Sequence, residues 1–319
     1  MQSVLRPVLV ILLVVILLLG LLSWYWSRTP GFMTLSPQSE PVVGSATTEM
    51  LIKSVETLLE KPGGYLSNDV APPSVFLDNM PNWEFGVLQQ VRDLAKALRN
   101  DYSRSQTQSV ADEDLEIAEP MFNVHNDAWI FPSAEGEYQK GRDALQSYLT
   151  RLQDASVQNA QFYARADNLN EWLSLVEKRL GSLSQRLSAA RPQVRVNTDL
   201  AGDSNAKQST RAASQVVAKT SWFEIDDNFY EARGTAWALI HFLRAAEIDF
   251  NEVLEDKNAL VSLRQIIREL EATQQPLRSP IILNGSGLGM FANHSLVMSS
   301  YITRANAAIA DMRRLLQDG

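Results

Sequence analysis

The sequence predicts an all-α fold, in which an N-terminal transmembrane helix precedes an elongated helical bundle that contains a long antiparallel helical hairpin. Two positive observations lead to this prediction. Residues 8–26 are uncharged and apolar, and residues 138–190 repeat apolar side chains at alternating steps of three and four. In addition, no stretch of useful length alternates between apolar and polar residues, as a half-buried strand would.

The overall composition is that of a folded protein and excludes several kinds of site. Of the 319 residues, 45% are hydrophobic and 21% are charged. The chain has no cysteine, which excludes disulfides, iron–sulfur clusters and thiol nucleophiles. The formal net charge is −8, and because nucleic-acid-binding proteins usually carry a basic face, we expect no nucleic-acid partner.

The apolar segment 8–26 has the length of a membrane span. As a helix it would measure about 28 Å, close to the thickness of a bilayer core. It ends in Trp24, Tyr25 and Trp26, bulky aromatic residues that favour a membrane–water interface and make a poor signal-peptidase site. We therefore predict an uncleaved anchor with the lipid bilayer as its partner, and a cleaved secretory signal is the main alternative.

The charges that flank the anchor favour a cytoplasmic N-terminus. The amino terminus and Arg6 precede the apolar run, and Arg28 follows it. Residues 1–7 would then be cytoplasmic. In a Gram-negative bacterium the anchor would lie in the inner membrane and the rest of the chain in the periplasm.

The segment between the anchor and the first predicted domain helix is rich in proline and glycine. Residues 27–45 therefore predict a spacer that lifts the folded part off the membrane. We expect an α-helical domain over residues 46–319. Its first helix would end near Lys61, and a second would run from about Trp83 to Tyr102.

The central part of the chain predicts two long helices, near residues 135–190 and 227–273. The first carries a heptad seam, weaker in its N-terminal half, where a break near Ala155 is compatible with the pattern. The stripe of the second shifts phase near Asp256. The polar residues 191–212 predict a mobile connection, so the two helices would form an antiparallel hairpin. Pairing of the seam within the chain is favoured, and a coiled coil between two copies is the alternative.

Several long strings lie after the anchor and cover much of the remaining sequence. They are PGGYLSNDVAPPSVFLDNMPNWEFGVL at 62–88, WIFPSAEGEY at 129–138, EARGTAWALIHFLRAAEIDF at 231–250 and SPIILNGSGLGMFANHSLVMSSYITRANAAIADMRRLL at 279–316. In these strings the chain resembles the bacterial family labelled domain of unknown function 2333. The resemblance implies an uncharacterised envelope protein of Gram-negative bacteria with one N-terminal membrane helix, and it assigns no catalytic residues.

A glycine-rich loop before the last predicted helix, which spans about 293–316, is a candidate ligand or partner loop. Exposed backbone N–H groups in such a loop can hold an anion. The loop matches neither the dinucleotide fingerprint nor G-x-S-x-G, so a turn or a tight helix crossing is the favoured alternative. The candidate residues are Asn284, Gly285, Ser286, Gly287, Gly289 and His294.

Aromatic residues in a polar loop form a second candidate site. Phe122, Trp129 and Phe131 flank polar residues, as the aromatic residues of a partner interface often do. Packing in the core is the favoured alternative for these side chains.

The titratable residues show no pattern of a metal or catalytic site, so we expect no metal, no cofactor and no catalytic residue. The three histidines are isolated, and His241 is predicted to be hydrogen-bonded at a packing surface. Asp226 and Asp227 belong to an acidic group that is predicted to lie at a helix start, where negative charge is favourable.

These observations predict a single-pass inner-membrane protein without enzyme activity. Its periplasmic helical domain would act as a structural or protein-interaction module of an envelope assembly, with an envelope protein or a second copy as its partner. A ligand-binding or sensor module using loop 284–289 is the alternative. A hydrolase using dispersed carboxylates or Ser286 is a third, less favoured hypothesis.

Overall fold

The computed structural model describes residues 2–35, 42–105, 110–156, 159–196, 215–279, 281–286 and 289–318. These residues form ten α-helices and one two-stranded antiparallel sheet, so the all-α prediction is confirmed. The helices are α1 (Gln2–Trp26), α2 (Ser45–Glu60), α3 (Asn79–Ala97), α4 (Glu113–Phe122), α5 (Ala134–Gln153), α6 (Ala166–Ser188), α7 (Ile225–Asp249), α8 (Asn251–Asp256), α9 (Leu260–Ala272) and α10 (His294–Gln317).

The sheet lies where the sequence predicts a mobile connection. Strands β1 (Gln193–Val196) and β2 (Gln215–Ala218) pair antiparallel, with Val194 opposite Val217. Each strand has four residues, which is too short for a period of two to stand out in the sequence. The predicted connection covers residues 191–212, so it includes β1 but ends before β2, and its residues 197–212 lie outside the described residues.

The first predicted long helix is two helices, α5 and α6. Helix α5 ends at Gln153 and α6 begins at Ala166. Side-chain and backbone hydrogen bonds hold the segment before α6 against the bundle. The hydroxyl of Tyr148 donates to the carbonyl of Gln161 (2.6 Å), and the N–H of Tyr163 donates to the carbonyl of Tyr102 (2.6 Å). The break thus lies at the weak part of the seam.

The predicted antiparallel hairpin of the two long segments is wrong in its pairing. Helix α6 packs mainly on α10, whereas α7 packs mainly on α3. The hydroxyl of Ser299 in α10 donates to the carbonyl of Ser184 in α6 (3.0 Å). The seam residues of α6 are buried within this one chain. They are Leu169, Leu173, Val176, Leu180, Leu183 and Leu187. The seam is therefore covered within the chain, because α10 offers a matching apolar face.

The second predicted long helix is divided into α7, α8 and α9. One break lies at Phe250, and the other at residues 257–259, where Asn258 has a positive φ of 52°. The second break coincides with the predicted phase shift near Asp256. The change of stripe therefore marks the end of one helix and the start of the next.

Helix α7 forms the centre of the bundle, and it crosses α3 at very short range. Gly86 of α3 and Gly234 of α7 lie at the crossing, where each faces backbone of the other helix. The indole rings of Trp83 and Trp237 pack beside it, with centroids 5.2 Å apart. Small residues thus let two backbones meet, and large rings close the space around them.

One end of the bundle, called here the proximal end, receives the anchor. Trp26 at the end of α1 packs beside Gly63, just after α2. The amide of Asn82 in α3 donates to Asp227 in α7 (2.7 Å), so both helices start at this end. Further contacts bring the start of α5, the end of α6 and the start of α10 to the same end.

Candidate functional site

The anchor projects from the bundle and contacts it at one point. Within the described residues, one helix is long and apolar enough to cross a membrane, Arg6–Trp26, with a mean hydropathy of 2.9 and no buried part in its apolar window. The predicted interface residues Trp24 and Tyr25 are exposed, and the Arg28 guanidinium lies 4.0 Å from the ring centroid of Trp24. Trp26 is partly buried against the domain.

The described part of the predicted spacer, residues 27–35, is not a free spacer. Trp237 Nε1 of α7 donates to the carbonyl of Gly31 (3.0 Å), and Lys53 Nζ of α2 donates to the carbonyl of Thr34 (2.7 Å). Met33 and Leu35 pack against the core. The linker therefore runs along α2 and α7 and ties the anchor to the domain. Residues 36–41 lie outside the described residues.

His241 is the buried residue that holds the middle of the linker. The N–H of Met33 donates to His241 Nε2 (2.9 Å), so Nδ1 carries the ring proton and donates to the carbonyl of Trp237 (2.7 Å). Burial, together with a smaller effect of the nearby Arg244 guanidinium, lowers the pKa of His241 from 6.5 to about 4. The prediction of a hydrogen-bonded histidine at a packing surface is confirmed.

We expect stability to depend on pH through His241. The unfolded chain binds a proton near pH 6.5 and the folded chain only near pH 4, so the free energy of unfolding should fall as the pH falls between these values, by up to about 3 kcal/mol. His241→Gln keeps an acceptor for Met33 but does not titrate. Urea denaturation of the full chain in micelles at pH 4 to 7 should therefore show a smaller decrease for His241→Gln than for the wild type.

The matched control for this measurement is His125→Gln, because the His125 side chain is 88% exposed. This variant should keep the wild-type pH dependence. Parallel curves for the wild type and His241→Gln would contradict the assignment.

A chain of bonds leads from the anchor junction to a loop with exposed aromatic residues. The buried carboxylate of Glu84 holds the turn after α2 by accepting from the N–H groups of Leu66 and Ser67 (both 2.9 Å). The next residue, Asn68, donates through Nδ2 to the carbonyl of Ala128 (2.9 Å) and to Glu135 (2.6 Å). The loop that carries Trp129 therefore lies beside the anchor junction.

Of the three predicted interface aromatics, the structure separates one from the other two. Trp129 is 57% exposed and Phe131 is 94% exposed, and Phe131 has a φ of 44°, a costly backbone conformation for a bulky residue. Phe122 is fully buried against Gly141, where a methyl group would lie 2.7 Å from its ring. The prediction that Phe122 belongs to a partner interface is wrong, because α4 packs that ring onto α5.

The exposed aromatic side chains beyond the linker are concentrated at the proximal end. Among the described residues after 35, every exposed phenylalanine and tryptophan belongs to a loop or short turn at this end. They are Phe76, Trp129, Phe131, Trp222, Phe223 and Phe291. Single exposed apolar residues are ordinary on protein surfaces, but a set confined to one end indicates an interaction surface.

The proximal end also carries an acidic group. Asp226 and Asp227 lie in the first turn of α7, as predicted for negative charge at a helix start. Partial burial and, to a lesser extent, the neighbouring carboxylates of Asp226 and Asp78 together raise the pKa of Asp227 to about 6. This end therefore combines exposed aromatic side chains with a local group of carboxylates at the start of α7.

The described residues on the two sides of the predicted glycine-rich loop, 281–286 and 289–293, are joined by hydrogen bonds. The N–H of Gly285 donates to the carbonyl of Ala292 (2.9 Å), and Asn284 donates to the carbonyl of Ala190 (2.8 Å). Asn293 caps α10 by accepting from the N–H of Leu296 (2.9 Å). Gly285 is required by a close backbone approach, because a Cβ there would lie 2.0 Å from the carbonyl oxygen of Phe291.

The remaining residues of this loop have different positions. A Cβ on Gly289 would lie 2.2 Å from the hydroxyl of Ser286, so these two residues are in contact. Gly287 lies outside the described residues. Of the candidate loop residues that the structure describes, His294 is the one that lines the cavity beside α7 and α9.

That cavity, of about 260 Å³, lies between α7, the segment after α9 and the start of α10. Its walls combine apolar side chains with Arg233, Arg278 and His294. Arg233 is 7% exposed, and burial lowers its pKa from the usual value. The burial of Arg233 could not be predicted from the sequence, because nothing in the neighbouring residues of an amphipathic helix signals that an arginine is buried.

The whole chain matches a family described as uncharacterized proteins conserved in bacteria (DUF2333), over residues 1–319. The chain belongs to this family. The match includes the anchor, so the predicted resemblance is confirmed. No curated protein and no solved structure matches the chain.

In the part that the structure describes, no group of three or more histidine, aspartate or glutamate residues could hold a metal ion. Two buried polar side chains of this DUF2333 structure lie at candidate contact or binding sites. His241 bonds the linker, and Arg233 lines the cavity. Both sites involve α7, which has the largest number of buried residues among the described helices.

Proposed function

We propose that the protein is a single-pass inner-membrane protein with a cytoplasmic N-terminus and a periplasmic helical domain. The domain acts as an interaction module of an envelope assembly and not as an enzyme. Its proximal end faces the bilayer, and the aromatic residues of that end contact the membrane–water interface. The linker is bound to the domain and does not act as a free spacer, so it keeps the domain close to the membrane.

The observation that carries this proposal is the position of the exposed aromatic residues. The apolar helix α1 projects from the same end of the bundle that exposes Trp129, Phe131 and the other four rings. Tryptophan and other large aromatic rings partition into the membrane–water interface, where their apolar bodies leave water. The linker bonds at Gly31 and Met33 keep this end next to the anchor.

Trp129 should contact lipid when the full chain is reconstituted into vesicles. We expect brominated phosphatidylcholine to quench the fluorescence of Trp129. Trp129→Phe should therefore lower the part of the total tryptophan emission that brominated lipid can quench. The matched control is Trp172→Phe, because Trp172 is 1% exposed within the bundle and its light should belong to the unquenched fraction. If the emission lost in Trp129→Phe is instead emission that brominated lipid does not quench, the membrane-facing orientation is wrong.

The compartment and the partner are tested separately. Alkaline phosphatase fused after Gly319 should be active if the domain is periplasmic, and inactivity with a fluorescent cytosolic reporter at the same site would contradict the proposal. Mild crosslinking in intact cells should then recover an envelope protein or a second copy of the chain. Recovery of monomer alone at every crosslinker concentration would contradict an assembly role.

A second candidate function is ligand binding, which the cavity beside His294 favours. A cavity with apolar walls and a few polar groups is the usual form of a small-molecule site. This candidate differs from the sequence-based alternative, because the described glycine-loop residues before His294 do not line the cavity.

A further inference from the structure

We propose that the cavity at Arg233 binds an organic anion with a short apolar body, such as a medium-chain carboxylate. The inference deepens the second candidate function and is independent of the proposed contact between the proximal end and the bilayer. It rests on the state of Arg233, on the other donors around the cavity and on the apolar walls.

Arg233 is a buried cation without an acidic partner in the described part of the chain. Its Nη2 donates to the carbonyl of Gln274 (3.1 Å), while its Nε is buried and has no hydrogen-bond partner. Tyr230, whose phenol is neutral at pH 7, is the one side chain that raises the pKa of Arg233, and no carboxylate does so among the described residues. A guanidinium has five N–H donors, and leaving a buried charge uncompensated is costly. A bound anion would supply the missing acceptor and the missing charge.

The other groups at the cavity also favour an anion. His294 Nδ1 accepts from the N–H of Leu283 (3.0 Å), so the Nε2 of the neutral ring is a donor. His294 is the first residue of α10, and the N-terminus of this 24-residue helix carries partial positive charge. Exposed Arg278 adds a second cation to the lining of the cavity. No lining residue is acidic.

The rest of the lining selects an apolar body next to the anionic head. Phe229 and Met298 are buried and form part of the wall, and Leu277 packs beside them. The cavity is slightly smaller than sites for drug-sized ligands, so a short chain or single ring fits its size. The planar fork of a guanidinium matches the two oxygens of a carboxylate.

Two sources can supply this chemistry, a soluble carboxylate and an anionic membrane lipid, and thermal unfolding of the full chain in nanodiscs distinguishes them. In nanodiscs of phosphatidylcholine, octanoate should raise Tm with its concentration, because a ligand that binds only the folded state stabilises it. Octanol and octylammonium serve as neutral and cationic probes of the same length. Nanodiscs that contain phosphatidylglycerol, without octanoate, test the lipid as the source.

The decisive variant is Arg233→Met, which removes the charge and keeps a long side chain. We expect it to weaken octanoate binding at least about tenfold, because charge-assisted bonds are lost. Its Tm without ligand should equal or exceed that of the wild type, since an unpaired buried charge is gone. Arg233→Lys keeps the charge but not the fork, so it should bind with intermediate affinity and serves if Arg233→Met does not fold. Arg264→Met is the control, because exposed Arg264 pairs with Glu247 away from the cavity.

The possible results divide clearly. A stabilising effect of octanoate or of phosphatidylglycerol that is lost in Arg233→Met and kept in Arg264→Met supports the site and identifies the source. Equal effects of octanoate and octanol, equal responses of Arg233→Met and wild type, or no shift with any probe would each overturn it. A quenching result that contradicts the membrane-facing orientation would leave the octanoate arm unaffected, because octanoate is soluble and needs no contact between the cavity and the bilayer.

Discussion

Replacement of Gly234 by alanine is expected to destabilise the helical domain by about 3 kcal/mol or more. A Cβ at Gly234 would lie 2.0 Å from the carbonyl oxygen of Trp83, and one at Gly86 would lie 2.1 Å from that of Glu231. These atoms are backbone and cannot rotate away, so α3 and α7 would have to separate. Separation would also disturb the packed rings of Trp83 and Trp237 at the centre of the core.

Urea denaturation of the full chain in micelles, followed by circular dichroism, measures this effect. The matched control is Gly181→Ala in α6, where the nearest atom to a new Cβ is the amide nitrogen of Asn306 at 3.7 Å. Since alanine favours a helix over glycine, this control should be stabilised by about 0.5 to 1 kcal/mol. Equal effects of the two substitutions would show that the α3–α7 crossing is looser than described.

Lys61→Met is expected to destabilise the domain by about 3 to 5 kcal/mol. Lys61 Nζ lies 2.5 Å from Glu84 Oε1, and both side chains are almost completely buried. The same carboxylate accepts from Leu66 and Ser67, and Lys61 also donates to the carbonyl of Gly64 (2.5 Å). Without the lysine, the carboxylate would stay buried with no counter-charge, and the turn beside Trp26 would lose its support.

The double variant Lys61→Met/Glu84→Gln tests the origin of this loss. It should be less destabilised than the sum of the two single variants, because neither charge is then left unpaired. Lys140→Met is the control, because its pair with Glu137 is exposed at the lysine and should contribute less than about 1 kcal/mol. The buried pair is refuted as a major stabilising interaction if Lys61→Met behaves like Lys140→Met.

Much of the helical content could be predicted from the sequence, because helix formation has local signals. The apolar run of α1, the caps such as Asn293 and the phase shift near Asp256 are all visible within a few residues. The break between α5 and α6 also coincides with the weak part of the seam. Such features depend on periodicity and on local hydrogen bonds, which a linear pattern records.

The candidate sites were much less predictable, since their residues meet from distant parts of the chain. Met33 and His241 are 208 residues apart, and Asn68 and Ala128 are 60 apart. A proline- and glycine-rich linker has the same composition whether or not it packs on a helix. Phe122 and Phe131 lie in similar sequence surroundings, yet one is buried and the other is exposed.

The sequence by itself determined the N-terminal helix that is long and apolar enough to span a membrane, the all-α character and the family of this protein. Only the tertiary structure decided that α6 pairs with α10, that α7 pairs with α3 and that the linker is bound to His241. An apolar stripe predicts that a helix face will be buried, but it does not predict which helix covers that face, because several apolar faces would be equally suitable by hydrophobicity alone. The choice among them depends on shape, as where Gly86 and Gly234 permit two backbones to meet, and shape is a property of both helices together.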